Sequence, residues 1–502
     1  MELVAMTVGA LTMLTLDGRE VVMSNYGDRR GTVILFMSGR CPTTRDMIEV
    51  INDTYEATRY KEILFVGLCA NDAEPSDELT TFCQRRAVRF PVYRDPGHAI
   101  ADKLGVTVTP EALLLDPKGT VVYRGGLHSG EAAQAFASAI ADLVAGKKPV
   151  QVDAEVKGTP IDQPGQPLDV DDPFGTVAFS SELIFERIPN APVHHCSTLT
   201  EAPNGDLVCV WYGGSYESSD DQVLFVSRRK KGERAWSTPE VLVTGTLMHP
   251  PGNAVVFRID SERMGLIWGR MDASRPIRRG GGWSQCQLMI RFSNDNGHTW
   301  TDDREMPGLF GCLPRNAPIT LHDGAFAVPL SGKTAGRSGG FLLVTRDAGR
   351  TWQPSGVMPG GSQPTVIQRD DGSLLAFLRS FPNILRSEST DLGATWTIPE
   401  PTDFRCPGSG IAMCRLDNGH LVLVYNNSPT HDRTPLNIVR STDEGATWDD
   451  LRILEPNWGE YSYPCVIQTS DGTIHVTYTF RRYAIKHVQL NEDWLAHLLR
   501  PN

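Results

Sequence analysis

At 502 residues the chain has room for two or three domains, and a net charge of −12, from 48 basic and 60 acidic side chains, excludes a nucleic-acid backbone as its main partner. Ten cysteines show neither a C-x-x-C pair nor zinc spacing, so they read as small buried hydrophobes of a cytoplasmic protein, with no metal and no cofactor expected. The opening Met1–Met13 stretch has no basic start and is too short to cross a bilayer, so neither an export signal nor a membrane partner is expected.

Residues 1–147 alternate strand and helix. The apolar run Val33–Met37 predicts a buried strand, Thr44–Arg59 a helix, Glu62–Leu68 a second strand and Ser76–Arg86 a second helix. A strand in Phe90–Asp95, a short helix over His98–Leu104 and strands in Val106–Asp116 and Gly119–Gly126 follow, the last two turning at Pro117-Lys118-Gly119. Gly130–Ala145 closes the series as a helix. This order builds an α/β fold around a central sheet.

Two positions in it carry chemistry. Cys41, in SGRCPTT, stands where the first core strand meets a helix N-terminus, whose dipole favours thiolate over thiol. With Thr109-Pro110 it makes residues 1–147 resemble the redoxin branch of the thioredoxin-like fold, which implies a cis proline beside the sulfur. The chain departs from that pattern: Thr44 stands where thioredoxins have a second cysteine, and Ile34 and Ser38 stand where the peroxiredoxin motif has proline and threonine. Cys41 and Pro110 are thus a redox candidate whose partner the motif does not name. Cys69 and Cys83 are open as resolving thiols, and the competing reading is a scaffold kept for docking.

Residues 148–174 are rich in Pro, Asp and Gly without apolar periodicity, and read as a linker. Over residues 175–492 a turn-then-strand signal recurs: NGDLVCVW from Asn204, RMGLIW from Arg263, HDGAFAVPL from His322, DDGSLLAFL from Asp370, DNGHLVLVY from Asp417 and SDGTIHVTY from Ser470. A second pattern, Ser/Thr-x-Asp-x-Gly-x-Thr-Trp, recurs at Ser293–Trp300, Thr345–Trp352, Ser389–Trp396 and Ser441–Trp448, with a degenerate copy from Ser227 to Trp236. Its short Asp can accept turn N–H groups, its Gly supplies positive φ, and its Trp can staple the hairpin to its sheet. These are similar to the Asp-boxes of sialidase-like β-propellers, and six turn signals predict six four-stranded blades with the box tryptophans in their outer parts.

That resemblance implies site residues, which we carry over one by one. Sialidases clamp a substrate carboxylate with arginines and use a Tyr nucleophile and an Asp acid/base. In GGSQPTVIQRDDGSLLAFLRS, Arg379 matches the second arginine, and in DRTPLNIVRSTDEGATW, Arg433 matches the third. In EYSYPCVIQTSDG, Tyr463, eight residues before Asp471, matches the nucleophile, with Tyr461 as the alternative. The loop YGGSYESSDDQ offers Glu217, Asp220 and Asp221 as acids.

Two positions depart from the family. His195 stands where the first arginine belongs, keeps a hydrogen-bond donor and is expected to add a group titrating near neutral pH. Gln363 stands where a Glu activates the tyrosine, and an amide cannot take the phenol proton. The wider pattern (HHCSTL, WYGG, PGSG, VYNN, EYSYP, YTFRR) resembles a divergent exo-alpha-sialidase-like branch, which adds Arg315, Ser409, Asn426 and Arg481 to the expected pocket. The implied function is hydrolysis of a glycan ending in an acidic sugar. A binding propeller and a thiol oxidoreductase centred on Cys41 are the alternatives.

Overall fold

The computed structural model describes residues 6–496 apart from positions 17, 59, 60, 87, 151–155, 166–178, 234, 275, 276, 278–280, 335, 450 and 456–458. Two compact units are built on Met1–Gly175 and on Thr176–Leu451 with Gly459–Ala496. Among the described residues no helix is long and apolar enough to cross a membrane.

The first unit is a seven-stranded mixed sheet. Its elements are β1 (Leu11–Thr15), β2 (Glu20–Met23), β3 (Gly31–Phe36), α1 (Pro42–Thr58), β4 (Ile63–Cys69), α2 (Ser76–Arg85), β5 (Val92–Arg94), α3 (Ala99–Leu104), β6 (Val108–Thr109), β7 (Glu111–Leu115), β8 (Val121–Gly126) and α4 (Gly130–Val144). The strand order is β2-β1-β5-β4-β3-β7-β8, parallel across β5-β4-β3 and antiparallel elsewhere. Alternate residues of β3 feed two cores, as a strand covered on both faces requires. Val33 and Leu35 join Met47, Ile48, Phe82 and Phe136 from α1, α2 and α4, while Ile34 and Phe36 join Ile100 and Leu104 from α3.

The second unit is an all-β propeller of six sheets. The N/D-G turns precede the second strand in five blades, as the sequence predicts, because each lies between two strands in register, such as Glu201↔Leu207 and Arg415↔Leu421. In the second blade the expected turn is corrected, since Gly265 of RMGLIW lies inside the strand Met264–Met271 and the turn is made by residues 260–263. The first strands of successive blades (Val193–Glu201, Pro251–Arg258, Leu313–Pro314 with Ile319–Thr320, Ser362–Gln368, Ala412–Arg415 and Tyr461–Gln468) lie against one another around the axis. The ring closes by an exchange of ends: Phe179–Leu183 pairs with Ala484–Leu490 as the fourth strand of the last blade.

Each strong box joins the third strand of its blade to the fourth. In the third blade, Asp347 Oδ1 accepts from Thr351 N at 2.8 Å and from Thr345 Oγ1 at 2.9 Å, and Oδ2 accepts from Thr351 Oγ1 at 2.6 Å. The Thr351 bonds hold the carboxyl down at about 2. Gly349 has φ +87°, a value that disfavours any other residue. Trp300, Trp352, Trp396 and Trp448 each pack half-buried on the edge of a blade core, so the box is an architectural clip.

Candidate active site

One device aims the axial side chains. The first strands of four blades carry a β-bulge, between His195 and Thr198, Gly252 and Val255, Ser362 and Thr365, and Ser462 and Cys465. At each bulge a residue other than glycine takes left-handed backbone: Cys196 at φ 60°, Asn253 at 39°, Gln363 at 48° and Tyr463 at 54°. Such residues cost about 1–2 kcal/mol each, and they persist where the surrounding sheet over-determines them. A bulge breaks the strict alternation of the strand and re-aims a side chain, and at Gln363 and Tyr463 that side chain joins the axial cluster.

Tyr463 is the centre of the cluster. Its hydroxyl accepts from Arg379 Nη1 at 2.5 Å, and the same nitrogen donates to Gln363 Oε1 at 3.0 Å. The guanidinium groups of Arg315, Arg379 and Arg433 lie 5.1, 5.5 and 5.4 Å from the ring centroid, and the His195 ring lies 4.3 Å away. Tyr463, Arg379, Gln363, Arg433 and His195 therefore meet in one place with Arg315 of the third blade.

A charged chain backs this cluster. Arg433 Nη1 bonds Glu460 Oε1 at 2.7 Å, Arg482 bonds Glu460 at 2.8 Å and Glu217 at 2.6 Å, and Glu217 also accepts from Trp283 Nε1 at 3.2 Å. Burial opposes the Glu460 carboxylate, yet bonds from Arg482 and Arg433 outweigh it and hold the group below its usual range. Arg433 and Arg482 are thus neutralised. Arg379 is not, because its partners are an amide and a phenol. Arg315 is 1 % exposed, donates one bond to Pro464 O at 2.6 Å, and leaves Nε and Nη1 without an acceptor among the described residues. Two guanidinium charges beside Tyr463 therefore have no counter-ion among the described residues. A buried charge left this way is costly, and an anion entering the site would repay it.

Several expected residues take other places. Burial, followed by the charges of Arg482, Arg433, Arg315 and Arg379, pushes His195 well below its usual value, so the expected titration near neutral pH is corrected to a neutral imidazole. Its Nδ1 shares a 2.7 Å hydrogen bond with Thr479 Oγ1. Arg481 turns to the Tyr461 hydroxyl at 2.8 Å, and it is the next residue, Arg482, that enters the charged chain. Asn426 donates to Pro435 O and Tyr461 O behind the site, and Ser409 is fully buried. Asp221 accepts from Ser215 and Ser219 of its own loop and is held low against the effect of burial. Asp220 is exposed, and no described residue donates to it.

Sequence reasoning missed Glu460, Arg482 and Trp283. EYSYP already placed an acid beside the tyrosine strand, which was the available signal for Glu460. None existed for Arg482, because Arg481 and Arg482 both take left-handed backbone, at φ 50° and 64°, where strand alternation no longer says which side faces the axis.

In the first unit, Cys41 sits at the N-terminus of α1 and its thiol donates to Thr109 O at 3.1 Å, next to the cis Thr109-Pro110 bond. Cys69 donates instead to Glu74 at 3.4 Å, and Cys83, on α2, is buried in the core that α1 and α4 share.

Residues 205–476 match the BNR repeat-like domain, more than half of the chain. The chain belongs to the BNR repeat-like family. Within this BNR-repeat protein, residues 5–124 also match the AhpC/TSA family, so a redoxin domain is fused in front of the propeller. A search of the curated proteins with the sequence found no match. Among solved structures, the propeller is similar to the Hadza microbial sialidase, with 17% identity and TM-score 0.54 over 62% of this chain and 68% of that one. It is also similar to a protein of unknown function from Dyadobacter fermentans, with 17% identity and TM-score 0.53 over 63% and 99%. The intramolecular trans-sialidase from Ruminococcus gnavus, solved with oseltamivir carboxylate, gives 14% identity and TM-score 0.52 over 62% and 97%. Such likeness establishes the sialidase fold for this BNR-repeat protein and leaves its chemistry to the site.

Proposed function

We propose that the propeller is a glycoside hydrolase acting on a glycan that ends in a carboxylated sugar. The observation that carries this reading is the pair of uncompensated guanidinium groups, Arg315 and Arg379, on the Tyr463 ring. Planar forks bind a carboxylate with directed hydrogen bonds, and in a site this buried they do so with little competition from water. The Ruminococcus gnavus trans-sialidase, solved with oseltamivir carboxylate, is consistent with such a ligand.

In this reading Arg315 and Arg379 hold the carboxylate, while Arg433 and Arg482, tied to Glu460 and Glu217, frame the pocket. Tyr463 sets its oxygen against the anomeric carbon, to attack it or to stabilise its cation. Of the three loop acids, Asp220 is the best proton donor to the leaving oxygen, since Glu217 is ion-paired with Arg482 and Asp221 is engaged by its own loop. Release of aryl alcohol from an aryl glycoside of sialic acid or of a uronic acid is the test. No turnover of either, with binding retained, would favour the second reading, a glycan-binding propeller, for which the amide of Gln363 in place of a base is the supporting observation.

A further inference from the structure

The redoxin domain carries a feature that neither the fold nor the proposed hydrolysis uses. Part of the segment after α4 folds back onto the mouth of the Cys41 site. Thr159–Pro160 pairs antiparallel with β6, in the register Val108↔Pro160 and Thr109↔Thr159, and Ile161 N donates to Thr107 O at 2.9 Å. Ile161 is buried in the core that includes Ile100, Leu104 and Val106. Further on, Pro164 O accepts from Arg40 Nη1 and Asn71 Nδ2, both at 3.4 Å.

Two glycines make the fit close. A Cβ at Gly158 would stand 1.8 Å from Thr109 O, and one at Gly165, where φ is +68°, would stand 2.8 Å from Arg40 Cβ. Thr109 O is also the acceptor of the Cys41 thiol. The segment therefore lies on the same carbonyl as the sulfur, and Cys41 is 0 % exposed.

The covered thiol is set up for reaction. Burial raises it, but the polar groups of Thr159 and Thr44 near it outweigh burial and leave it below its ordinary value. Thr44, in the first turn of α1, is itself fully buried, and its hydroxyl has no hydrogen-bond partner among the described residues. Cys69 and Cys83 differ from it: burial pushes both up, as for inert core thiols.

We propose that residues 156–165 form a strap that occupies a strand-docking edge at β6 and seals Cys41, so that the thiol becomes available only when the strap peels away. The edge is held by main-chain pairing, two glycine contacts and one buried side chain. Local opening of so small a unit needs far less free energy than unfolding the domain. The strap shields the sulfur from solvent and brings Thr159 onto the carbonyl that the thiol bonds.

The test is alkylation of the full chain by iodoacetamide, with the modified cysteines mapped by peptide mass. In the wild-type protein Cys41 should react roughly tenfold or more slowly than in chain unfolded by urea. Gly158→Val, which drives a side chain into Thr109 O, and Ile161→Asp, which removes the buried anchor, should each speed Cys41 alkylation by roughly tenfold while Cys69 and Cys83 stay protected. Cys41 that reacts at the urea-unfolded rate in the wild type, or that is not accelerated by either variant, overturns the proposal. Cys69 and Cys83 becoming reactive together with Cys41 in both variants also overturns it, since the segment would then be part of the domain's core support and no gate.

Discussion

Arg379 Nη1 stands between two acceptors, the Tyr463 hydroxyl at 2.5 Å and Gln363 Oε1 at 3.0 Å, and neither carries a negative charge. The amide orients the guanidinium without neutralising it. The arginine keeps its charge for a ligand, and the tyrosine has a donor where it would need a base.

Replacing Gln363 by Glu should therefore move the site toward hydrolysis. If the missing base is what limits the reaction, turnover of an aryl sialoside by Gln363→Glu should rise by about 10²-fold, the lower end of what a positioned base supplies. The carboxylate would also pair with Arg379, so binding of the acidic sugar should weaken. A rise in kcat accompanied by a rise in KM is the signature, and no gain with any acidic aryl glycoside counts against the enzyme.

Arg315 offers a test by stability. Its Nε and Nη1 have no acceptor, so Arg315→Met should leave the unliganded protein as stable or more stable, by about 1–4 kcal/mol where the apolar chain packs well. The same change should abolish the rise in Tm given by an acidic sugar, because a ligand stabilises only what binds it. Arg379→Ala should cost about 2–5 kcal/mol of carboxylate binding, measured by calorimetry. Arg433→Ala should weaken carboxylate binding less than Arg379→Ala does, since Arg433 is already neutralised by Glu460, which keeps its bond to Arg482.

Acid should weaken the propeller through its buried histidines. Burial pushes His475 down to about 3 and His194 down to about 4, against an ordinary value of 6.5. The unfolded chain binds protons that the folded one refuses, so stability is full above pH 6.5 and falls as pH drops toward the folded values. At pH 5 each such histidine should cost about 2 kcal/mol. Urea midpoints measured between pH 7 and pH 5 should show this slope, and His475→Gln, at the 2.9 Å contact with His487, should flatten it.

The blades were legible because their signal is local: a D-G or N-G turn and an Asp-box each fix a hairpin within about ten residues. The axial residues Tyr463, Arg379, Gln363 and His195 could be counted from those turns, since a short strand preserves the offset. What could not be counted were pairings between blades. Nothing near Arg433 says that Glu460 will neutralise it, and nothing near Glu217 names Arg482. Nor does a Pro/Gly-rich stretch announce that Thr159–Pro160 will find a strand edge.

Cys196, Asn253, Gln363 and Tyr463 occupy the same backbone position in four blades, although they share no chemistry. The register of each sheet makes the bulge, whichever side chain it presents, so the positions act as interchangeable sockets around one axis. At Gln363 and Tyr463, whose side chains meet Arg379, a substitution refits the axial cluster. Glycine there would relieve the strained φ but leave the socket empty. A ring built this way can change what it recognises through single residues, and its divergence from relatives that share its shape needs no rebuilding of the fold.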